Sequence, residues 1–193
     1  MHRVLVTEPL SREGIQRLRE GAEVDVCEGL SPQELAAIIG EYDALIVRSR
    51  TRVTAAVLQA ASRLRVVARA GSGVDNIDVE AATRRGVVVV NAPQGNTVSV
   101  AEHVLGLMLA LVRHIPAADA AMKRGSWPKE GLSGIELRGK TLGIIGLGHV
   151  GTALARRALG LEMRLLAYDP FVPVEQATRM GVEMVPLEDL LRR

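Results

Sequence analysis

The sequence of 193 residues has one cysteine and few aromatic residues. Because Cys27 is alone, the chain cannot form an intramolecular disulfide or a metal site built from several cysteines. Aromatic residues make up 2% of the chain, and no block of Lys and Arg is interleaved with them. The formal net charge is only +2, from 24 basic and 22 acidic residues. These properties argue against nucleic acid as a partner.

Long apolar runs are also missing. The longest, at residues 104–112, is well short of the roughly 20 residues that a bilayer crossing requires. Residues 1–7 predict a strand and not a charged and then apolar signal sequence. We therefore expect no membrane partner and a cytoplasmic location.

Short β-branched runs alternate with helical patterns through the first half of the chain. Repeated strand–helix units with short connections predict a parallel sheet with helices on both faces. Five apolar runs have the length of buried strands: residues 3–6, 23–27, 44–47, 64–68 and 87–90.

Two helix start signals support this interpretation. Ser31 can cap a helix that has Pro32 in its first turn, and Glu34 can bond back to the cap. Asp78 can cap a second helix, which Gly86 would end.

The pattern changes at residues 91–96, a turn-rich junction that precedes a long helical stretch at 97–112. A second strand–helix series begins at residue 141. We predict an α/β protein of two doubly wound parallel-sheet domains, at 1–92 and 93–193, the first of flavodoxin-like type. Since two complete strands would leave an edge of the second sheet bare, we expect the sequence to be a truncated piece of a longer protein.

The second series contains the motif Gly146-Leu147-Gly148-His149-Val150-Gly151, a GxGxxG. An apolar strand precedes the motif, a helix with apolar periodicity follows it, and the next strand ends at Asp169. This context is typical of a dinucleotide-binding fingerprint. It predicts that the second domain is an incomplete Rossmann domain.

Each part of the motif has a physical role. Gly146 permits the tight turn, Gly148 lets the backbone approach a pyrophosphate, and Gly151 lets helix and strand pack closely. The helix N-terminus favours a diphosphate, and Asp169 can accept hydrogen bonds from ribose hydroxyls. Its carboxylate would repel the extra phosphate of NADP, so the pattern favours NAD. The alternative is a glycine-rich turn of an unrelated unit, with Asp169 only a turn residue.

Three further segments complete a resemblance to a known family. They are Val47-Arg48-Ser49, Arg69-Ala70-Gly71-Ser72-Gly73-Val74-Asp75-Asn76 and Asn91-Ala92-Pro93-Gln94-Gly95-Asn96. Together with the glycine motif, they closely resemble the D-2-hydroxyacid dehydrogenases, and the first two resemble the branch that acts on 3-phosphoglycerate. The resemblance implies oxidation of 3-phospho-D-glycerate to 3-phosphooxypyruvate by hydride transfer to NAD, the first step of phosphorylated serine biosynthesis.

The resemblance also implies roles for individual residues. Substrate would be bound by side chains and backbone at strand ends of the first domain and at the junction: Arg48, Ser49, Arg69, Gly73, Val74 and Asn96. The cofactor would meet Ser72, Gly146, Gly148, His149, Val150, Gly151 and Asp169. Solvated strand ends are the alternative for the two arginines, and a simple turn hydroxyl is the alternative for Ser72.

Two departures from the family pattern qualify these roles. His149 replaces a basic Arg or Lys, which weakens any charge contact to the pyrophosphate but keeps the backbone role. The catalytic Arg, Glu and His of the family are expected beyond residue 193, so no catalytic residue is assigned, and we expect this piece to be inactive alone. No metal is expected.

The helical stretch at 97–112 is apolar nearly all round, which predicts complete burial. In the resembled family this region packs at the subunit interface, so we expect a homodimer or homotetramer of the whole protein.

Other functions stay open on the sequence. The whole protein could be a glyoxylate or hydroxypyruvate reductase or a D-lactate dehydrogenase. It could also be a non-catalytic NAD-binding scaffold or a corepressor.

Overall fold

Parallel strands separated by helices build both halves of the molecule. The computed structural model describes residues 1–128 and 130–193. The chain divides into two units, Met1–Asn96 and Thr97–Arg193. The division lies a few residues beyond the junction near Pro93.

The first unit contains a five-stranded sheet whose strands all run parallel in the order β2-β1-β3-β4-β5. This is the strand order of flavodoxin-like folds. The strands are β1 (His2–Val6), β2 (Ala22–Val26), β3 (Ala44–Val47), β4 (Val66–Arg69) and β5 (Val88–Asn91).

Four α-helices connect these strands, and side chains cap each of them at its start. They are α1 (Arg12–Arg19), α2 (Pro32–Ile38), α3 (Ala55–Ala60) and α4 (Val79–Arg84). The capping box of Ser31 and Glu34 is confirmed, because each side chain accepts a hydrogen bond from the other's backbone N–H. Asp78 caps α4 as predicted by accepting the N–H of Ala81.

The core of the first unit lies between the sheet and its helices. Leu5, Leu45 and Val67 of three neighbouring strands are fully buried, as are Leu35 of α2 and Leu58 of α3. The inner strands β1, β3 and β4 are the most buried, and such strands need no polar alternation. The edge strand β5 is not buried as its apolar sequence predicts, since Val88 is 58% and Val90 44% exposed.

The second unit holds a three-stranded parallel sheet in the order β6-β7-β8. Its strands are β6 (Thr141–Ile145), β7 (Arg164–Tyr168) and β8 (Glu183–Met184). Its helices are α5 (Thr97–Val112), α6 (Ile115–Lys123), α7 (His149–Gly160), α8 (Val174–Arg179) and α9 (Leu187–Arg192). The predicted α/β class is confirmed in both units.

The sequence did not predict α8 or β8. Six residues of helix and two of strand are too short to show either periodicity clearly. The pairing of β8 with β7 and the burial of Ala177 against the core define them in the structure.

The predicted complete burial of α5 is wrong for this chain. Only Ala101 of the helix is buried, while Leu107 is 58% and Leu111 76% exposed. The helix packs on α7 along one side and on α6 near its end, while Val98, Leu107 and Leu111 stay exposed.

Within the described residues, no single helix is both long and apolar enough to cross a membrane. The helices α5 and α6 meet those criteria only when they are counted together, across a bend of 66°.

Candidate functional sites at the carboxyl ends of the two sheets

Arginines stand at the carboxyl ends of two neighbouring strands of the first unit, one as the last residue of its strand and one directly after it. Arg69 is the last residue of β4 and pairs in register with Val47, the last residue of β3. Arg48 is the next residue after Val47 and therefore lies beside Arg69. The Arg69 Nε donates to the carbonyl oxygen of Arg48 over 3.0 Å. The structure therefore brings together the two arginines that the sequence assigned to an anionic substrate.

Arg69 is mostly buried, with a side chain that is 11% exposed. Its guanidinium also donates to Asp75 Oδ1 over 2.6 Å. A Cβ on Gly73 would lie 2.7 Å from the nearest guanidinium nitrogen, so a larger residue at position 73 would displace the arginine. The turn after β4 thus fixes Arg69, although these bonds use only two of its five N–H donors.

Arg48 and Ser49 are exposed at the start of the loop that follows β3. A guanidinium nitrogen of Arg48 donates to the carbonyl of Pro9 over 3.3 Å. The Asn76 Nδ2 donates to the carbonyls of Arg48 over 2.9 Å and Thr51 over 2.6 Å. The backbone of Arg48 is therefore held by hydrogen bonds from the loop after β4.

Sequence reasoning missed Glu8, the main organiser of this loop. Its carboxylate is 4% exposed and accepts the backbone N–H groups of Arg48 (2.8 Å), Arg50 (3.1 Å) and Thr51 (2.9 Å). Burial alone would raise the pKa of Glu8, but the N–H groups of Thr51, Arg50 and Arg48 outweigh it and lower the pKa to about 2. The sequence offers only a weak signal, an acid two residues beyond the apolar strand β1, and the sheet order is what places it beside the end of β3.

The other residues assigned to the substrate lie near the same edge. Gly73 and Val74 are half-buried in the turn after β4, and Asn96 is exposed at the end of the first unit. Ser72, assigned to the cofactor, is exposed in that turn, and its carbonyl accepts the Asn91 Nδ2 over 2.6 Å.

The glycine motif of the second unit forms the predicted turn between β6 and α7. Gly146 has a φ of +92°, a conformation that side chains disfavour. A Cβ on Gly151 would collide with the carbonyl oxygen of Gly146, so this glycine lets the helix approach the strand. A Cβ on Gly148 would meet no described atom within 4 Å, which leaves this face of the turn open to a ligand.

The first turn of α7 can bind an anion. No described side chain caps the helix, whose N-cap is Gly148. The first N–H groups of a helix have no acceptor within the helix, and the helix dipole adds partial positive charge there. His149 is exposed and Val150 half-buried, so the residues assigned to the pyrophosphate by their backbone lie in this turn.

Asp169 follows the neighbouring strand β7 and is tied to the glycine turn. Its Oδ2 accepts the N–H of Leu147 over 2.7 Å, and its Oδ1 accepts those of Phe171 and Val172 over 2.8 and 3.2 Å. The bonds from Phe171 first and then from Leu147 hold the pKa of Asp169 below its ordinary value. Each carboxylate oxygen has two lone pairs, so Oδ2 keeps capacity for a further donor.

Neither site resembles a metal centre. Among residues 1–128 and 130–193, no three His, Cys, Asp or Glu side chains are grouped so that they could hold a metal ion.

Comparison with known proteins agrees with this arrangement. The family model described as the catalytic domain of D-isomer specific 2-hydroxyacid dehydrogenases matches residues 4–185. The chain belongs to this family. It is 54% identical over 190 residues to D-3-phosphoglycerate dehydrogenase of Archaeoglobus fulgidus. The aligned region covers 98% of this chain and 36% of that relative. The chain thus spans about a third of the length of the curated relatives it matches.

Solved structures of similar fold include the TT0316 protein of Thermus thermophilus. It superposes with a TM-score of 0.88 at 36% identity, over 98% of this chain and 61% of that one. An acyclic imino acid reductase (Bsp5), solved in complex with NADPH and D-Arg, has a TM-score of 0.85 at 26% identity, over 97% of this chain and 61% of that one.

The close approach at Gly151 can be tested in this family member by Gly151→Ala. Since the added methyl group would strike the backbone at Gly146, we expect a loss of about 1–3 kcal/mol in the free energy of unfolding, measured with urea. Gly160→Ala is the control, because the last residue of α7 has open space around it and should tolerate the change. Equal stability of the two variants would contradict the packing argument.

The lowered pKa of Glu8 predicts a dependence of stability on pH. Because the pKa falls from 4.5 in the unfolded chain to about 2 in the folded one, the stabilisation is complete above pH 4.5 and is lost as the pH falls towards 2. It amounts to about 3 kcal/mol. Urea unfolding from pH 7 to pH 3 should show the wild type losing more than half of this advantage over Glu8→Gln.

Glu23→Gln is the control for that series, because Glu23 is exposed and lies 4.0 Å from the nearest guanidinium nitrogen, that of Arg3. A constant difference between wild type and Glu8→Gln over the whole pH range would show that the Glu8 charge does not contribute.

Proposed function

We propose that the whole protein is an NAD-dependent dehydrogenase that oxidises 3-phospho-D-glycerate to 3-phosphooxypyruvate. Residues 1–92 would bind the substrate, and residues 93–193 would bind NAD. The observation that carries the proposal is the hydrogen bond from the Leu147 N–H to Asp169 Oδ2, which joins an ionised carboxylate to a glycine turn at a helix N-terminus.

The residues of the second unit fit a dinucleotide. The open face at Gly148 suits a pyrophosphate, and the uncapped first turn of α7 offers it N–H groups. Asp169 keeps an acceptor site for a ribose hydroxyl, and its negative charge disfavours a phosphate at the same place. These features favour NAD over NADP. When bound, NAD supplies the nicotinamide ring that accepts a hydride from C2 of the substrate.

The residues of the first unit fit a substrate with two anionic groups. The guanidinium groups of Arg48 and Arg69 can bind phosphate or carboxylate with charge-assisted, paired hydrogen bonds. Gly73 and Val74 lie in the turn after β4, beside Arg69, and can offer N–H groups to a carboxylate. Ser49 and Asn96 would add neutral hydrogen bonds. The family relative named D-3-phosphoglycerate dehydrogenase supports this choice of 2-hydroxy acid.

We also propose that the whole protein forms a homodimer or homotetramer. The uncovered apolar residues Leu107 and Leu111 of α5 support this, since an exposed apolar patch commonly marks an interface.

The cofactor assignment is tested by Asp169→Asn. The amide keeps the shape but loses the charge and part of the acceptor capacity, so NAD should bind about 10- to 100-fold more weakly. Calorimetric titration of the chain with NAD and with NADP would also show a smaller preference for NAD in the variant. Glu175→Gln, at an exposed acid on α8, is the control. Unchanged affinity of Asp169→Asn for NAD would refute the assignment.

The substrate assignment is tested by Arg48→Gln. Removing the guanidinium should weaken binding of 3-phosphoglycerate about 10- to 100-fold, because a charge-assisted hydrogen bond is lost. The binding of D-glycerate, which lacks the phosphate, would then show whether phosphate or carboxylate is the group concerned. Arg63→Gln serves as control, since Arg63 pairs with Asp43 at the amino edge of the sheet. Tighter binding of D-lactate than of 3-phosphoglycerate by the wild type would favour a different 2-hydroxy acid.

A further inference from the structure

The loop at residues 48–51 carries two of the residues proposed to meet the substrate, Arg48 and Ser49. Three of its four N–H groups converge on one carboxylate, that of Glu8. Convergent N–H groups of a loop form the kind of nest that binds anions. In this chain the anion is an internal side chain, because Glu8 is 4% exposed.

Glu8 reaches the loop from the end of β1, the neighbour of β3 in the sheet. The N–H of Thr7 donates to the carbonyl of Ile46 over 3.1 Å, and the hydroxyls of Thr7 and Thr51 lie 3.0 Å apart. The chain leaves β1 towards β2 on one side, while β3 lies on the other. Such a reversal of strand order leaves a crevice in which open α/β sheets bind ligands. Glu8 lines a cavity at this end of the sheet.

Carbonyl groups of the same loop accept hydrogen bonds from side chains of β4 and of the loop that follows it. Arg48 O accepts both Arg69 Nε and Asn76 Nδ2, and Thr51 O accepts the second bond of Asn76. The backbone at Arg48 is thus fixed through both its N–H and its carbonyl. The N–H is held by the carboxylate of Glu8. The Oε2 of this carboxylate also lies 3.6 Å from the Arg50 guanidinium.

We propose that Glu8 is a positioning residue for substrate binding. It orients Arg48 and Ser49 by holding the loop amides, and it does not touch the substrate. This inference rests on the proposed function, since it requires Arg48 to bind the anionic substrate.

The loop predicts a spectroscopic signature for this role. In the 15N-labelled chain, the amide protons of Arg48, Arg50 and Thr51 should lie downfield, because they are bonded to a carboxylate. Glu8→Gln should move these three signals upfield together. Signals that stay in place would overturn the proposal.

Binding supplies the decisive measurement. We expect Glu8→Gln to bind 3-phosphoglycerate about 10-fold more weakly than the wild type, because the loop loses charge-assisted bonds that fix Arg48. The matched control is Asp43→Asn. Asp43 is a largely buried carboxylate that accepts the N–H of Arg3 over 2.9 Å, but it lies at the amino edge of the sheet. The control should lose stability and keep its affinity. Equal affinity of Glu8→Gln and wild type, or an equal loss in the control, would overturn the proposal.

Chemical rescue separates positioning from general stability. A cavity of about 200 Å³ lies beside the carboxylate, lined by Thr7, Glu8, Gly29, Leu30, Arg50 and Thr51. In Glu8→Ala, added formate can enter the vacated space and accept the three N–H groups. It should restore affinity for 3-phosphoglycerate, whereas chloride at the same ionic strength should not. Absence of rescue, or equal rescue by chloride, would count against the proposal.

A second variant and the wild type itself separate a failure of this inference from a failure to fold or of the proposed substrate. If Glu8→Gln does not fold, Glu8→Asp keeps the charge but withdraws it by one methylene group, and undiminished binding by this variant together with upfield shifts of its three amide signals would overturn the proposal. If the wild type itself fails to bind 3-phosphoglycerate, the proposed substrate is wrong, and the inference fails with it. That failure is seen in the wild type, whereas a failure of the inference alone is seen only in the variants.

Discussion

Parallel pairing of strands is the constraint on which the rest of this structure depends. Every ladder in both sheets is parallel, so the chain must cross back over the sheet after each strand. All carboxyl ends therefore meet at one edge of each sheet. This places Arg48 beside Arg69 in the first unit and the glycine turn beside Asp169 in the second.

The two units share one hydrogen-bonding arrangement at the carboxyl edge of the sheet. A carboxylate that follows one strand accepts backbone N–H groups from the loop after the neighbouring strand, as Glu8 does for Arg48 and Asp169 for Leu147. The two carboxylates differ in exposure and in spare capacity. Glu8 is enclosed and accepts four N–H bonds from three residues, while half-buried Asp169 keeps an acceptor site that a ligand can use. The first therefore organises a loop, and the second keeps the free acceptor capacity on which the proposed ribose contact depends.

Much of the fold could be predicted because its signals are local. Most strands of the first sheet are short apolar runs, and Ser31, Glu34 and Asp78 are capping residues that act within one helical turn. The turn at Gly146 was predictable for the same reason, because the spacing of the glycines in the motif is typical of this turn. Elements without a local period were missed, namely the two-residue strand β8 and the six-residue helix α8. The apolar sequence of α5 indicated burial but contained no information on which surface covers it.

The residue types and spacings alone define the α/β class, the glycine turn and the acid that follows the next strand, because short-range geometry and strand-end position determine each of them. Only the tertiary structure shows that Glu8 holds the loop of Arg48 across 40 residues of sequence, that Asp75 binds Arg69, and that Gly73 leaves the space for its guanidinium. The physical reason is that a hydrogen bond between distant residues depends on which strands become neighbours. That order is decided by the packing of the whole sheet and leaves no periodic trace in the chain.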